Sequence, residues 1–360
     1  LAPPHTFAIM ANALLGSVTS ADQNRMAFTQ GFVDACGYKE STYGTDDVNH
    51  DVLLTSIGCS SPLEDPQIGE QIPKHIQAEA ALRSMPNIQE VHALLGFGTY
   101  SHVFSCTVEG ISEGLAAVKV PHTHVPLQQR EASILMGLEH PNLVKLLGVI
   151  EVPSPALVFE LCVGGSLQSF LHGESHQILS RALTLRARLG AALDVACALE
   201  YLHSKLILHR DVKSGNCLLT IVPGSVGEIS PVKLGDLGFA RQHVEEDIMT
   251  HCVGTFLYMA PEVEDTTRTT SYGFPADAYS YGILLYEIMS SMTPYSGMNT
   301  HDPRLFLRIY HGLRPDLDVM APGASTTPEI KALTSACWDK NEQKRPLLAY
   351  VVDTLQRAIQ

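Results

Sequence analysis

Eight consecutive residues, His209-Arg210-Asp211-Val212-Lys213-Ser214-Gly215-Asn216, put a carboxylate, an ammonium and an amide within six positions of one another. Moving a phosphoryl group onto a hydroxyl requires these three kinds of group: a carboxylate to orient the attacking oxygen, a cation over the transferring phosphate, and an oxygen donor for Mg²⁺. Asp211, Lys213 and Asn216 supply them at workable spacing. An amphipathic run over 183–203 precedes the stretch and a short apolar run over 217–220 follows it, which predicts a helix, a loop carrying the chemistry, and a strand.

Other residues with chemical potential lie on either side. Lys119 interrupts the apolar strand pattern of 114–120, and a lysine buried in this way needs an anionic partner. Glu131, on a helix predicted over 127–138, can be that partner. Upstream, alternating apolar residues flank Gly96 and Gly98 in Leu95-Gly96-Phe97-Gly98-Thr99-Tyr100-Ser101-His102-Val103. Glycines in a strand-turn-strand let backbone N–H groups approach phosphate closely. Downstream, Asp236 lies in Lys233-Leu234-Gly235-Asp236-Leu237-Gly238, and 254–262 reads Gly-Thr-Phe-Leu-Tyr-Met-Ala-Pro-Glu.

Taken in order, these motifs resemble the protein kinases, with H-R-D-x-K-x-x-N at 209–216. Trp338 followed by Lys344-Arg345-Pro346, together with the 209–216 stretch and Tyr258-Met259-Ala260-Pro261-Glu262-Val263, looks most like the tyrosine-kinase-like group of serine/threonine kinases. The resemblance covers about 270 residues, from Val91 to the C-terminus, and implies an α+β bilobal fold. A small antiparallel β-sheet lobe with its helix C is expected to hinge on a large, mainly helical lobe, with ATP and Mg²⁺ in the cleft.

By the same resemblance, Asp211, Lys213, Lys119 and Glu131 are the catalytic candidates, and Asn216 and Asp236 hold the metal. Leu95, Gly96, Gly98, Val103, Ala117, Lys119 and Leu218 are expected to surround the nucleotide. Glu160 and Cys162 bond the adenine edge through their main chains, and Phe159 closes the back of the pocket. Asp277, and Glu262 with Arg345, match bracing positions of the large lobe. Two residues depart from the pattern: Ser101 stands where the family has a third glycine, and Leu237 stands where it has Phe. Lys213 and Thr255 imply a Ser or Thr hydroxyl of a protein substrate as acceptor. Arg210 is expected to receive a phosphate placed on Thr250 by an upstream kinase or by autophosphorylation, with the acidic run Glu245-Glu246-Asp247 as a partial substitute. The alternative is a pseudokinase scaffold that binds nucleotide and partners without turnover.

Composition narrows the classes further. The 360 residues carry a formal net charge of -14, which argues against a nucleic-acid binder and against an anionic membrane surface. The eight cysteines include no C-x-x-C pair, which favours a reducing, cytoplasmic setting over a zinc or disulfide framework. No uninterrupted apolar run approaches the ~18 residues of a membrane span. The chain begins at Leu1 without a signal pattern, so a fragment of a longer protein is expected. Residues 1–85 read as a partly helical N-terminal extension, with Phe7, Met10, Leu14, Leu15 and Val18 at helical spacing, a linker at 60–66 and a short helix over 75–83. Residues 86–160 then form the small lobe and 161–360 the large lobe.

Overall fold

A computed structural model describes residues 74–360 except 86, 98–100, 112–113, 122–125, 151–155, 223–225, 243–255, 264–271, 301 and 321–326. The helices expected before residue 60, and Gly98, Thr250, Thr255 and the acidic run 245–247, lie outside the described residues.

The first described element is helix α1 (Lys74–Arg83), followed by strands β1 (Ile88–Phe97), β2 (Ser101–Val108) and β3 (Leu115–Pro121), helix α2 (Pro126–Leu135), and strands β4 (Leu146–Ile150) and β5 (Ala156–Phe159). The strands form one antiparallel sheet in the order β1-β2-β3-β5-β4. Because side chains alternate across a sheet, Phe104, Cys106, Ala116, Val118, Val120 and Val158 fall on one face and build the small-lobe core. Register puts Val103 opposite Lys119, and Ala117 opposite Phe159, on the other, less buried face. Ala78, Leu82 and Met85 also enter this core, so the lobe's packing begins at α1, ahead of the boundary the sequence suggested at 85/86.

The large lobe begins with α3 (Leu167–His172), α4 (Gln177–Arg181) and the 20-residue α5 (Leu185–Ser204). Ser166 and Thr184 start α3 and α5 by accepting hydrogen bonds from the Ser169 and Ala187 amides. Two small antiparallel ribbons follow, β6 (Ile207–Leu208) with β9 (Arg241–Gln242) and β7 (Cys217–Leu219) with β8 (Val232–Leu234). The 209–216 loop leaves β6 and enters β7. Helices α6 (Pro275–Ser290), α7 (Pro303–Tyr310), α8 (Pro328–Cys337) and α9 (Leu348–Ile359) complete the lobe. Three of them have proline at the first turn, where its missing N–H costs nothing. A single core built mainly on α5 and α6 underlies the lobe.

Two expected boundaries shift for identifiable reasons. The helix predicted over 127–138 ends at Leu135, and Gly137 then takes a φ of 100° that a helix cannot continue through. The strand expected from Leu143 starts at Leu146, because Leu143 bridges to Leu234 and the Val144 amide donates to the Leu234 carbonyl. Residues 142–144 therefore join the small lobe to β8 instead of extending the sheet.

Candidate active site

Strand β3 carries Lys119 to the sheet face turned towards the large lobe, and α2 lays Glu131 against it. Lys119 Nζ donates to both Glu131 oxygens at 2.9 Å and to Asp236 Oδ1 at 2.8 Å. One ammonium thus bridges the two lobes. Glu131 is 3 % exposed and Asp236, facing the cleft, is 43 % exposed. Burial raises the Glu131 carboxyl above its ordinary value, and Lys119 only partly offsets this. Burial also pulls the Lys119 ammonium down, but the Asp236 and Glu131 carboxylates outweigh it and hold Lys119 above its usual value. For Asp236, burial raises and Lys119 lowers, and the net position is below the normal carboxylate range. Gly238 leaves the cluster room, since a Cβ there would stand 3.2 Å from Asp236 Oδ1, a tight contact, and 3.4 Å from Lys119 Nζ.

The 209–216 loop is held from beneath by α6. Asp277, almost fully buried in its first turn, accepts from the His209 amide on Oδ2 and from the Arg210 amide on Oδ1, both at 2.9 Å. His203 Nε2 at the end of α5 also reaches Oδ2 at 2.9 Å. Burial alone would raise the Asp277 carboxyl, yet the bond from His203 and the charges around it hold it low. His209 Nε2 faces the Gly235 carbonyl at 3.0 Å and must be the donor there, leaving Nδ1 to accept from the Asp211 amide at 3.3 Å. Arg210 and Asp236 both have left-handed backbones, with φ of 70° and 57°. Such conformations are costly outside glycine and persist only where the surroundings enforce them.

Inside this frame Asp211, Lys213 and Asn216 converge. Asp211 Oδ2 accepts from Lys213 Nζ at 2.7 Å and from Asn216 Nδ2 at 2.9 Å, and the same Nδ2 donates to the Asp211 carbonyl at 2.8 Å. With its nitrogen committed, Asn216 has an oxygen to offer a cation, and Asp236 adds a carboxylate. Two protein oxygens suit a hard divalent cation that keeps waters and takes phosphate oxygens. Val103, Ala117 and Phe159 share the cleft-facing side of the sheet by register, and Leu218 lies on β7 below it. Leu95 on β1 is half exposed, and a Cβ on Gly96 would meet nothing within 4 Å. The Cys162 thiol is pushed up to about 11 by burial.

From the sequence, Glu160 is expected to act through its main chain. Its side chain turns out to accept from Lys233 Nζ at 2.6 and 2.7 Å and from the Lys145 amide at 2.7 Å, tying the inter-lobe connection to β8 and to the residue just before β4. Lys233, a lysine in the middle of a three-residue apolar strand, was the available signal. Glu262 and Arg345 form a bidentate buried pair, with Arg345 Nη2 2.8 Å from Glu262 Oε2. A further group around Glu287, joining His172, Ser214 and Tyr258, was also missed; a glutamate inside the apolar run 283–288 was its only trace.

Comparison with known proteins places this geometry. A family described as protein tyrosine and serine/threonine kinase matches residues 89–355. The chain is similar to serine/threonine-protein kinase STY17 of Arabidopsis thaliana, 29 % identical over 266 residues, covering 73 % of this chain and 43 % of that protein. It is also similar to a Raf homolog serine/threonine-protein kinase of Caenorhabditis elegans, 29 % identical over 292 residues, covering 76 % of this chain and 33 % of that protein. The chain spans less than half the length of either relative.

Proposed function

The chain belongs to the protein tyrosine and serine/threonine kinase family, and from that premise we propose that it transfers the γ-phosphate of ATP to Ser or Thr hydroxyls of protein substrates in intracellular signalling. The observation that carries this reading is the Lys119 ammonium shared between Glu131 of one lobe and Asp236 of the other, above a loop in which Lys213 and Asn216 both bond Asp211. A scaffold that binds nucleotide without turnover would use the Lys119 cluster but has no need of the one around Asp211.

Asp211 orients the acceptor hydroxyl and takes its proton as the oxygen attacks. Lys213, fixed against that carboxylate, lies where negative charge develops on the transferring group. Lys119 holds the α- and β-phosphates, and Glu131 keeps it there. The cleft-facing residues Val103, Ala117 and Leu218, with Leu95, enclose the adenine. The main chains of Glu160 and Cys162 bond its edge, and Phe159 stands behind it. Asn216 and Asp236 would hold Mg²⁺, which supplies charge neutralisation across the phosphates when bound. Ser/Thr selectivity is supported by Lys213 two residues after Asp211, and by the printed names of both relatives.

The test is Asp211→Asn in the whole chain. The variant is expected to bind Mg-ATP as the wild type does while transfer to a mixed Ser/Thr peptide acceptor falls by at least about 10³-fold, with phosphoserine and phosphothreonine as the wild-type products. Wild-type protein that binds Mg-ATP but phosphorylates neither an acceptor nor itself would establish the scaffold reading instead.

A further inference from the structure

Ser101 opens β2 at the position where the family pattern has a glycine, and its side chain has had no part in the site described above. Its backbone is ordinary strand and is not among the left-handed residues of the chain, so the local conformation does not call for glycine. A side chain is free to serve a purpose there. Burial alternates at this end of the strand: His102 and Phe104 are buried, whereas Ser101 and Val103 are half buried on the cleft-facing side. The Ser101 hydroxyl makes no hydrogen bond among the described residues.

Register fixes what this hydroxyl lies beside. Val103 pairs with Lys119 and Ser101 with Pro121, which makes Ser101 and Lys119 diagonal neighbours on one face of the sheet, a relation that sets residues about 7–8 Å apart. A phosphate group can bridge such a pair. Along this face Ala117, opposite Phe159, and then Val103 lie at the adenine end, and Ser101 is one pair further out. It therefore stands at the phosphate end. Lys119 Nζ reaches down from the sheet to Glu131 and Asp236, so a phosphate that it holds lies on the side to which Ser101 also faces. We infer that Ser101 is a nucleotide-contacting residue: its hydroxyl donates to a β-phosphate oxygen of the ATP held by Lys119, adding a side-chain donor where a glycine offers only its backbone. A bond of this kind, from a hydroxyl to an ionised oxygen, is charge-assisted and favours the di- and triphosphate over the monophosphate.

This inference rests on the nucleotide site of the proposed function. Its test measures, by calorimetry on the full chain, the binding of Mg-ATP, Mg-ADP, AMP and adenosine to wild type, Ser101→Ala and Ser101→Gly. Both variants are expected to weaken Mg-ATP and Mg-ADP about tenfold, and to leave AMP and adenosine within about twofold of wild type. The Tm without nucleotide should not fall. The glycine variant is the sharper of the two, because it restores the family's residue while removing the hydroxyl. If either variant binds Mg-ATP as tightly as wild type, the serine only stands in for glycine and the inference fails. It fails equally if adenosine affinity drops in parallel with that for ATP, since the substitution has then displaced β2. A wild type that binds Mg-ATP but phosphorylates nothing overturns the phosphotransfer reading and leaves the binding comparison standing. A wild type that binds none of the four ligands overturns both.

Discussion

Lys119 stands between two carboxylates whose titrations are displaced in opposite directions. Glu131 holds its proton more tightly folded than unfolded, so between its ordinary value of 4.5 and its raised value it lowers stability as pH rises. Asp236 behaves oppositely: its contribution is complete above 3.8 and is lost as pH falls through the still lower folded value. Lys119 contributes in full below 10.5 and loses its contribution only as pH rises through its folded value. Glu131 is therefore the member of the trio that acid reaches first. Glu131→Gln should flatten the pH dependence of unfolding just above pH 4.5, read from urea midpoints between pH 4 and 7. At pH 7 the same variant should lose at least about tenfold in kcat, roughly 1.4 kcal/mol of transition-state stabilisation, because Lys119 keeps only Asp236. Unchanged kcat would mean that Asp236 alone orients the ammonium. Phe159 offers a second check at this scale. It is half buried at the β5 end, packed against the large-lobe core, with Ala117 opposite it. Phe159→Gly should admit ATP-site ligands with a bulky group at the adenine's inner edge, at a stability cost of at most about 3–5 kcal/mol. Equal inhibition of variant and wild type by such ligands would remove Phe159 from the back of the pocket.

Helix α6 carries both carboxylates that brace the catalytic loop, so its seating on the neighbouring helices matters more than that of any other element. Gly282 lies where α6 meets the end of α8, and a Cβ there would come within 2.8 Å of Cys337 Cβ and 3.2 Å of the Trp338 amide. Gly282→Ala should therefore force the helices apart and cost about 1–3 kcal/mol. Gly190, inside α5, has nothing within 4 Å of its ideal Cβ. Gly190→Ala should stabilise by roughly 0.5–1 kcal/mol through helix propensity alone. Urea unfolding of the two variants should move in opposite directions, and a shift of the same sign would break the packing argument. The existence of these helices was legible because their apolar runs are long, and their starts were legible from Pro275, Pro303 and Pro328. Which glycine is a contact and which is open space was not, since that depends on a partner more than fifty residues away. Glu287 and Lys233 were hidden for the same reason: a charge inside an apolar run announces burial but does not name its partner. Asp211, Lys213 and Asn216 were legible because local spacing alone brings them together.

At the scale of the whole molecule, the two cores meet along a seam where Leu135, Leu143 and Phe159 pack against the large-lobe core and where polar bonds join Lys119 to Asp236, the Glu160 side chain to Lys233, and the backbone of 142–144 to Leu234. The order of the two lobes could be read from the order of the motifs. The place where the small lobe begins could not. Ala78 and Leu82 form a stripe of two residues, and Met85 lies beyond the helix end, too short a pattern to show periodicity. Leu82 and Met85 are nonetheless almost completely buried, against a core that includes Ile88, Val91 and Phe104. Burying a side chain of this size contributes about 1.5–3 kcal/mol, so the pair is worth roughly 3–6 kcal/mol, a large fraction of a domain's net stability. The last prediction follows for two truncations. A chain starting at Lys74 should keep nucleotide binding and show cooperative unfolding, because it retains every described contact of the small lobe. A chain starting at Asn87 loses α1 and Met85, leaves Ile88 and Phe104 uncovered, and should unfold its small lobe at a lower temperature, with weaker nucleotide binding and a large lobe still folded. Differential scanning calorimetry with and without Mg-ATP separates the outcomes. If both truncations unfold at the same temperature with the same nucleotide-induced shift, α1 rests on the small lobe without stabilising it, and the domain starts where the sequence alone placed it.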